Sequence, residues 1–94
     1  MKIKNFDAIV LNKKDNVATS IKLLKENSKI ILKIEKKLFN FLLKDNINLC
    51  HKFSLKLIKR GEKIIKYGEV IGVATVDIKK GRHVHIQNIK SLRG

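Results

Sequence analysis

The heptapeptide Ile58-Lys59-Arg60-Gly61-Glu62-Lys63-Ile64 returns twenty residues later as Ile78-Lys79-Lys80-Gly81-Arg82-His83-Val84. Each copy runs from an aliphatic residue through two basic residues, a glycine and two polar residues to a second aliphatic residue. Glycine enters positive φ without steric cost, as a tight turn into a following strand often requires. The echo therefore predicts strand–turn–strand units packed around a shared core.

The rest of the chain fits that plan. Ala8-Ile9-Val10-Leu11, Val17-Ala18-Thr19-Ser20-Ile21 and Lys29-Ile30-Ile31-Leu32-Lys33-Ile34 read as short strands. Asp15-Asn16 and Glu26-Asn27-Ser28 read as the turns between them. Phe53, Leu55 and Leu57 alternate with polar residues over 52–58, which predicts a further strand. Residues 35–44 fit a strand or an irregular loop better than a helix. Gly68 and Gly72 punctuate Val70-Ile71 and Val73-Ala74-Thr75-Val76. The expected fold class is mainly β, with short strands and many turns.

At 94 residues the chain, 1–94, reads as a single domain. A domain this small buries roughly 60 to 70% of the surface its unfolded chain exposes. It has little room for an enclosed substrate cavity, so a partner is expected to supply a wall of any active site. One cysteine, Cys50, excludes an intrachain disulfide framework, and it is read as a small buried thiol. No apolar run is long enough to span a bilayer, and Met1–Asp7 lacks the pattern of a secretory leader. A cytoplasmic setting, without a membrane partner, is the expectation.

The formal charge of +14 raises the question of nucleic acid. Yet only three of the 22 basic residues are arginine, the residue that grips bases and phosphates with a bidentate fork. The five aromatic residues do not form a stacking platform among the basic ones. Solvated lysine faces, with no specific nucleic-acid partner, account better for the charge.

Three histidines draw the chemistry. On a strand, His83, His85 and Gln87 would share one face while Val84 and Ile86 turn to the core. Two imidazoles so placed can share a metal ion, or divide acid–base and orienting duties. Spacing alone also allows two solvated side chains. His51, next to Lys52, is either a surface histidine or a third group converging on the same site. No Ser-His-Asp arrangement, Cys-x-x-Cys pair or phosphate-binding glycine loop accompanies them.

Several motifs together resemble one family. They are His51-Lys52-Phe53, the run Ile65-Lys66-Tyr67-Gly68-Glu69-Val70-Ile71-Gly72, Ala74-Thr75, and His83-Val84-His85 followed by Asn88. This set is similar to the SAF domain of altronate and galactarate dehydratases and to the small subunit of sulfolactate sulfo-lyase. The likeness is specific over residues 50–88, looser over 10–21, and faint over 22–47. It implies a β-clip fold and a domain that accompanies a larger catalytic part. The motifs lie close to the last residue, so a separate large dehydratase subunit is expected, with homo-oligomer formation possible as well. The resemblance also implies loss of water, or of sulfite, β to a carboxylate, with a divalent metal such as iron. On this chain it assigns His83, His85 and His51 to catalysis, with His83 and His85 as metal ligands. Lys52, Lys66, Tyr67, Gln87 and Asn88 would contact a sugar-acid substrate.

Four positions depart from the family pattern. Cys50 and Ser54 stand where glycine and alanine are usual, Arg82 where glutamate is usual, and Gln87 where a third histidine is usual. The reading that follows is an accessory subunit of an altronate dehydratase-like hydro-lyase, inactive alone. The alternatives are a sulfolactate sulfo-lyase subunit and a non-catalytic SAF-type ligand-binding module.

Overall fold

The computed structural model describes residues 5–92. Met1–Lys4, part of the opening stretch examined above for a leader, lie outside them, as do Arg93 and Gly94. Among the described residues there is no helix, so none is long and apolar enough to cross a membrane.

The described residues form nine strands, β1 (Ala8–Val10), β2 (Val17–Ser20), β3 (Lys29–Ile34), β4 (Lys37–Leu42), β5 (Lys52–Ser54), β6 (Lys63–Lys66), β7 (Glu69–Ala74), β8 (His83–Val84) and β9 (Ile89–Ser91). They form a six-stranded sheet in the order β4-β3-β1-β2-β5-β8 and a three-stranded sheet in the order β6-β7-β9. β1 and β3 pair in parallel; the other pairings are antiparallel. The expected mainly β class is therefore the observed one.

The echo seen in the sequence is half of a larger repetition. Ile58 and Ile78 exchange both backbone hydrogen bonds, at 2.8 and 2.7 Å, so the two copies face each other across the base of the β6–β7 hairpin. Leu24 and Ile47 do the same at 2.9 Å across the base of the β3–β4 hairpin. Each of these four buried aliphatics is followed, three residues on, by a residue at positive φ: Asn27 (61°), Cys50 (68°), Gly61 (87°) and Gly81 (83°). In every case the next N–H returns to the carbonyl three residues back, which closes a type II turn. Smaller details repeat as well. Asn46 Oδ1 accepts from Glu26 N–H and Asp77 Oδ1 from Arg60 N–H, while the Ser20 and Ser54 hydroxyls donate to the carbonyls of Asn48 and Lys79. Two hairpin units of one design thus make up most of the chain.

Cys50 is exposed, which corrects the expectation of a buried thiol. It occupies the turn position that needs a left-handed backbone, where a Cβ costs roughly 1–2 kcal/mol. This explains why glycine is usual there in the family. Cys50→Gly is expected to raise stability by about 0.5–1 kcal/mol, the strain relieved less the entropy glycine adds to the unfolded chain. A thermal melt checks it, and a lower melting point would contradict the strained-turn assignment.

Two clusters fill the interior. One joins Ala8, Val10, Leu32, Phe41, Leu43 and Phe53 with their neighbours; the other joins Val17, Ile58, Ile64, Ala74, Ile78 and Val84. The Phe41 and Phe53 rings meet at 5.3 Å and 47°, a tilted contact that aromatic quadrupoles favour. Residues 35–44 resolve as the β3–β4 turn, β4 and its exit. β1, β2, β5 and β8 are all shorter than the sequence pattern suggested. Leu11 lies beyond β1 and is exposed. β5 stops at Ser54: Leu55 N–H still reaches the Asn16 carbonyl, but the chain bends over 55–56 and Leu57 is left exposed. β8 stops at Val84, for reasons that belong to the site.

Candidate functional site

Strand register brings the histidines together. In the β5–β8 pair Phe53 opposes His83 and Lys52 opposes Val84. One residue further along, His51 comes opposite His85, and opposed residues share a face. His51 is delivered by the Cys50 turn and held where its carbonyl accepts from Ser20 N–H at 3.0 Å. His51 Nδ1 and His83 Nε2 are 2.9 Å apart, with the two rings within 9° of parallel. His85 lies against His51 with ring centroids 4.2 Å apart. Of the alternatives the sequence left for His51, the converging one is observed.

The shared face does not arise from a continuing strand. His85 N–H donates to Asn88 Oδ1 at 3.0 Å and Asn88 N–H to the His85 carbonyl at 3.1 Å, so the chain folds into a turn. Asn88 Nδ2 also donates to the His83 carbonyl at 2.7 Å. Ile86 therefore sits at the turn's tip, 82% exposed, whereas Val84 is fully buried; the expectation that both face the core holds for Val84 alone. Both ends of the Asn88 amide are engaged, so it shapes the turn rather than reaching outward. Gln87 swings back to place Nε2 3.1 Å from His83 Nδ1. An amide nitrogen donates, so Nδ1 accepts, and the ring proton on Nε2 is donated to His51 Nδ1. Gln87, His83 and His51 form a hydrogen-bonded chain.

Asp45 was not singled out in the sequence. Its Oδ2 accepts from His83 N–H at 2.9 Å, and its Oδ1 pairs with Arg82 Nη1 at 3.0 Å. It ties the exit of β4 to β8 and fixes the backbone of His83. Its local signal, Asp45-Asn46, is an ordinary turn dipeptide that does not disclose a partner 38 residues away.

Positive charge outweighs negative at the site. Burial first, then His51 and His85, hold the His83 imidazole below its ordinary value of 6.5; Lys52 adds to this and Asp45 opposes it. His85 is lowered likewise, by burial, then His51 and Lys52. Lys52 is lowered through burial and then through the charge of Lys66. Lys66 Nζ also lies 4.8 Å from the centre of the Tyr67 ring. Tyr67 and Gly68, at φ 54° and 78°, form the two-residue turn between β6 and β7, a type I′ geometry. Buried Asp15 and Asn16 clamp this hairpin. Asp15 Oδ1 accepts from Gly68 N–H, while Asn16 bonds Ile65 N–H and the Lys63 carbonyl, each at 2.8 Å. Thus two residues read as a plain turn position the hairpin that carries Lys66 and Tyr67.

The ligating nitrogens of His51, His83 and His85 all lie within 4.8 Å of one another. Imidazole suits first-row divalent ions, and three such donors leave coordination positions open, as a catalytic centre needs. The donor set fits the metal that the resemblance implied, with His51 joining His83 and His85.

The fold and site together define a small all-β domain that carries a histidine–lysine cluster at one sheet edge. The model of the altronate/galactarate dehydratase SAF domain family matches residues 6–92, and the chain belongs to that family. The match includes residues 22–47, where the sequence likeness had looked faint. The chain is 34% identical over 86 residues to an altronate dehydratase of Bacillus subtilis, covering 88% of this chain and 16% of that protein. Against an altronate dehydratase of Escherichia coli it is 35% identical over 77 residues, covering 82% of this chain and 15% of that one. It is 42% identical over 55 residues to (2R)-sulfolactate sulfo-lyase subunit alpha of Paracoccus pantotrophus, covering 58% of this chain and 82% of that subunit. The chain therefore spans about a sixth of the length of the altronate dehydratases it matches.

Proposed function

We propose that this chain is the small, accessory subunit of an altronate dehydratase-like hydro-lyase, acting in the cytoplasm with a separate large catalytic chain on a sugar acid. The observation that carries the reading is the convergence of His51, His83 and His85 beside Lys52 in a domain of the dehydratase family. Likeness to a protein named as a subunit, most of which this chain covers, supports the two-chain arrangement.

Dehydration breaks the α C–H and β C–O bonds, forms C=C and releases water. On this reading His83 or His85, as an imidazolium and not as a ligand, delivers a proton to the departing hydroxyl and regains one from solvent, while the Gln87–His83–His51 hydrogen bonds orient the rings. Lys52 and Lys66 hold the substrate carboxylate, with Tyr67 beside Lys66. The large chain supplies the base for the α-proton. A divalent ion, iron by resemblance, would be held by His83, His85 and His51; when bound it polarises the hydroxyl or carboxylate oxygen.

The purified chain alone is expected to show no turnover of altronate or galactarate with a divalent metal. Co-expressed with a large dehydratase chain, it is expected to co-purify and to support turnover. Turnover by the chain alone, or a large chain fully active without it, would overturn the reading. The sulfo-lyase-like likeness favours a second reading, in which sulfite leaves from (2R)-sulfolactate. Sulfite release with no dehydration of either sugar acid would select it.

A further inference from the structure

The two hairpin units match bond for bond at their outer strands. Leu43 N–H reaches the Ser28 carbonyl and its own carbonyl accepts from Asn27 N–H, each at 2.9 Å; Ala74 does the same with Glu62 and Gly61, at 2.9 and 2.8 Å. Leu43 is therefore the counterpart of Ala74, and β4 of β7. One residue further, Lys44 N–H donates to the Gly81 carbonyl and Thr75 N–H to the Asn88 carbonyl, each at 3.0 Å. From Asn88 the chain runs on as β9 and covers the outer edge of β7. From Gly81 it turns away to β8, so among the described residues no strand covers β4. Both backbone groups of Leu43 point to the β3 limb and the β3–β4 register has no shift, so those of Leu38 and Asn40 point outward. Six residues long and free of proline, this edge is a ready template for another chain. Leu38, Leu42 and Ile31 are exposed on one of its faces and Phe39 on the other. A groove of about 350 Å³, lined by Ile34, Glu35, Lys36, Lys37 and Phe39, opens at its start. Charge surrounds the apolar patch. Lys33 stands opposite Leu38 and Lys29 opposite Leu42, Lys36 and Lys37 lead into β4, and Lys44 follows it; over 29–44 the acidic residue is Glu35 alone. A second copy laid antiparallel on β4 would set the Lys36–Lys37 end against the Lys44 end, whereas an acidic segment meets opposite charge there.

We infer that the open edge of β4 is where the large chain docks, by adding an extended strand whose apolar residues alternate and whose ends are acidic. The inference rests on the two-chain reading and adds the surface that joins the chains. Backbone bonds at Leu38 and Asn40 supply affinity, the exposed Leu38, Leu42 and Phe39 take the apolar side chains, and the lysines select the acidic ends. One end of the added strand lies against Gly81, two residues before His83, so the contact brings the large chain up to the histidine cluster.

Binding of the full chain to a large dehydratase chain from the same cell, measured by biolayer interferometry, tests this. Asn40→Pro removes an outward N–H, a change that an edge strand tolerates, and Leu38→Lys puts a charge on the edge. Each is expected to weaken binding by about tenfold or more, while Val76→Lys, a similarly exposed aliphatic away from β4, leaves it unchanged. Wild-type binding is expected to weaken as salt rises. Leu38→Lys alters an exposed side chain and keeps the comparison decisive if Asn40→Pro fails to fold. Equal binding by wild type and the edge variants overturns the inference and leaves the two-chain reading standing. No binding by wild type discards that reading and this inference with it. Light scattering on the chain alone is the second measurement. A dimer that Leu38→Lys disperses would assign the edge to a second copy and overturn the inference.

Discussion

His83→Ala is expected to lower turnover of the reconstituted two-chain complex by roughly 10²-fold or more while leaving the fold standing. His83 is the hub of the site. It meets His51 at 2.9 Å through Nε2 and Gln87 at 3.1 Å through Nδ1, and its ring centre lies 5.5 Å from that of His85. Removing the ring cuts the Gln87–His83–His51 chain and takes away one of three ligating nitrogens. The backbone has no need of the ring: its N–H still reaches Asp45 Oδ2 and its carbonyl still accepts from Asn88 Nδ2. The neighbouring core contact belongs to Val84, which the substitution does not touch. A thermal melt within about 1 kcal/mol of wild type is therefore expected alongside the loss of turnover. His85→Ala is the companion variant. Unchanged activity in both would falsify the catalytic reading of β8 and its turn. Gln87→His sharpens the comparison, because an added imidazole tightens metal binding only if this face is a ligand site.

The largest loss of stability is expected from Phe53→Ala, about 3–5 kcal/mol. Phe53 is fully buried on β5, between β2 and β8, and is the largest of the fully buried side chains. Its ring packs against Phe41, so truncation removes burial from two elements at once. Against a total stability of roughly 5–15 kcal/mol, a loss of this size consumes much of the margin of so small a domain. Urea unfolding measures it. A loss under about 1 kcal/mol would mean that Phe53 does not pack against Phe41 and its neighbours as described. Since β5 also carries Lys52 and follows His51 directly, cluster and core are expected to fail together in this variant, unlike in His83→Ala.

Much of the architecture is written locally. β3 matches the span read from its aliphatic run, and β2 falls one residue short of its own. Both repeated glycines take the positive φ that the echo required. Such features depend on a few adjacent residues: burial of alternate side chains, and the steric freedom of glycine at a turn. The pairing of His83 with His85 was also legible, being two residues apart. The matching turns at Asn27 and Cys50 were less so, because asparagine and cysteine stand where the other two turns have glycine.

Tertiary structure decided the rest. Nothing near His51 announces that it lies beside His83; that follows from the β5–β8 register, across 32 residues. Asp45 reaches the His83 backbone across 38 residues and is invisible to any local pattern. Ile86 carried the periodicity of a core residue and is exposed, because the Asn88 side chain closes a turn that ends the strand. Propensity and alternation act over one or two turns of chain. Which side chains converge is set by strand pairing between distant segments, where burying Phe53 and Val84 fixes the register and the histidines follow it.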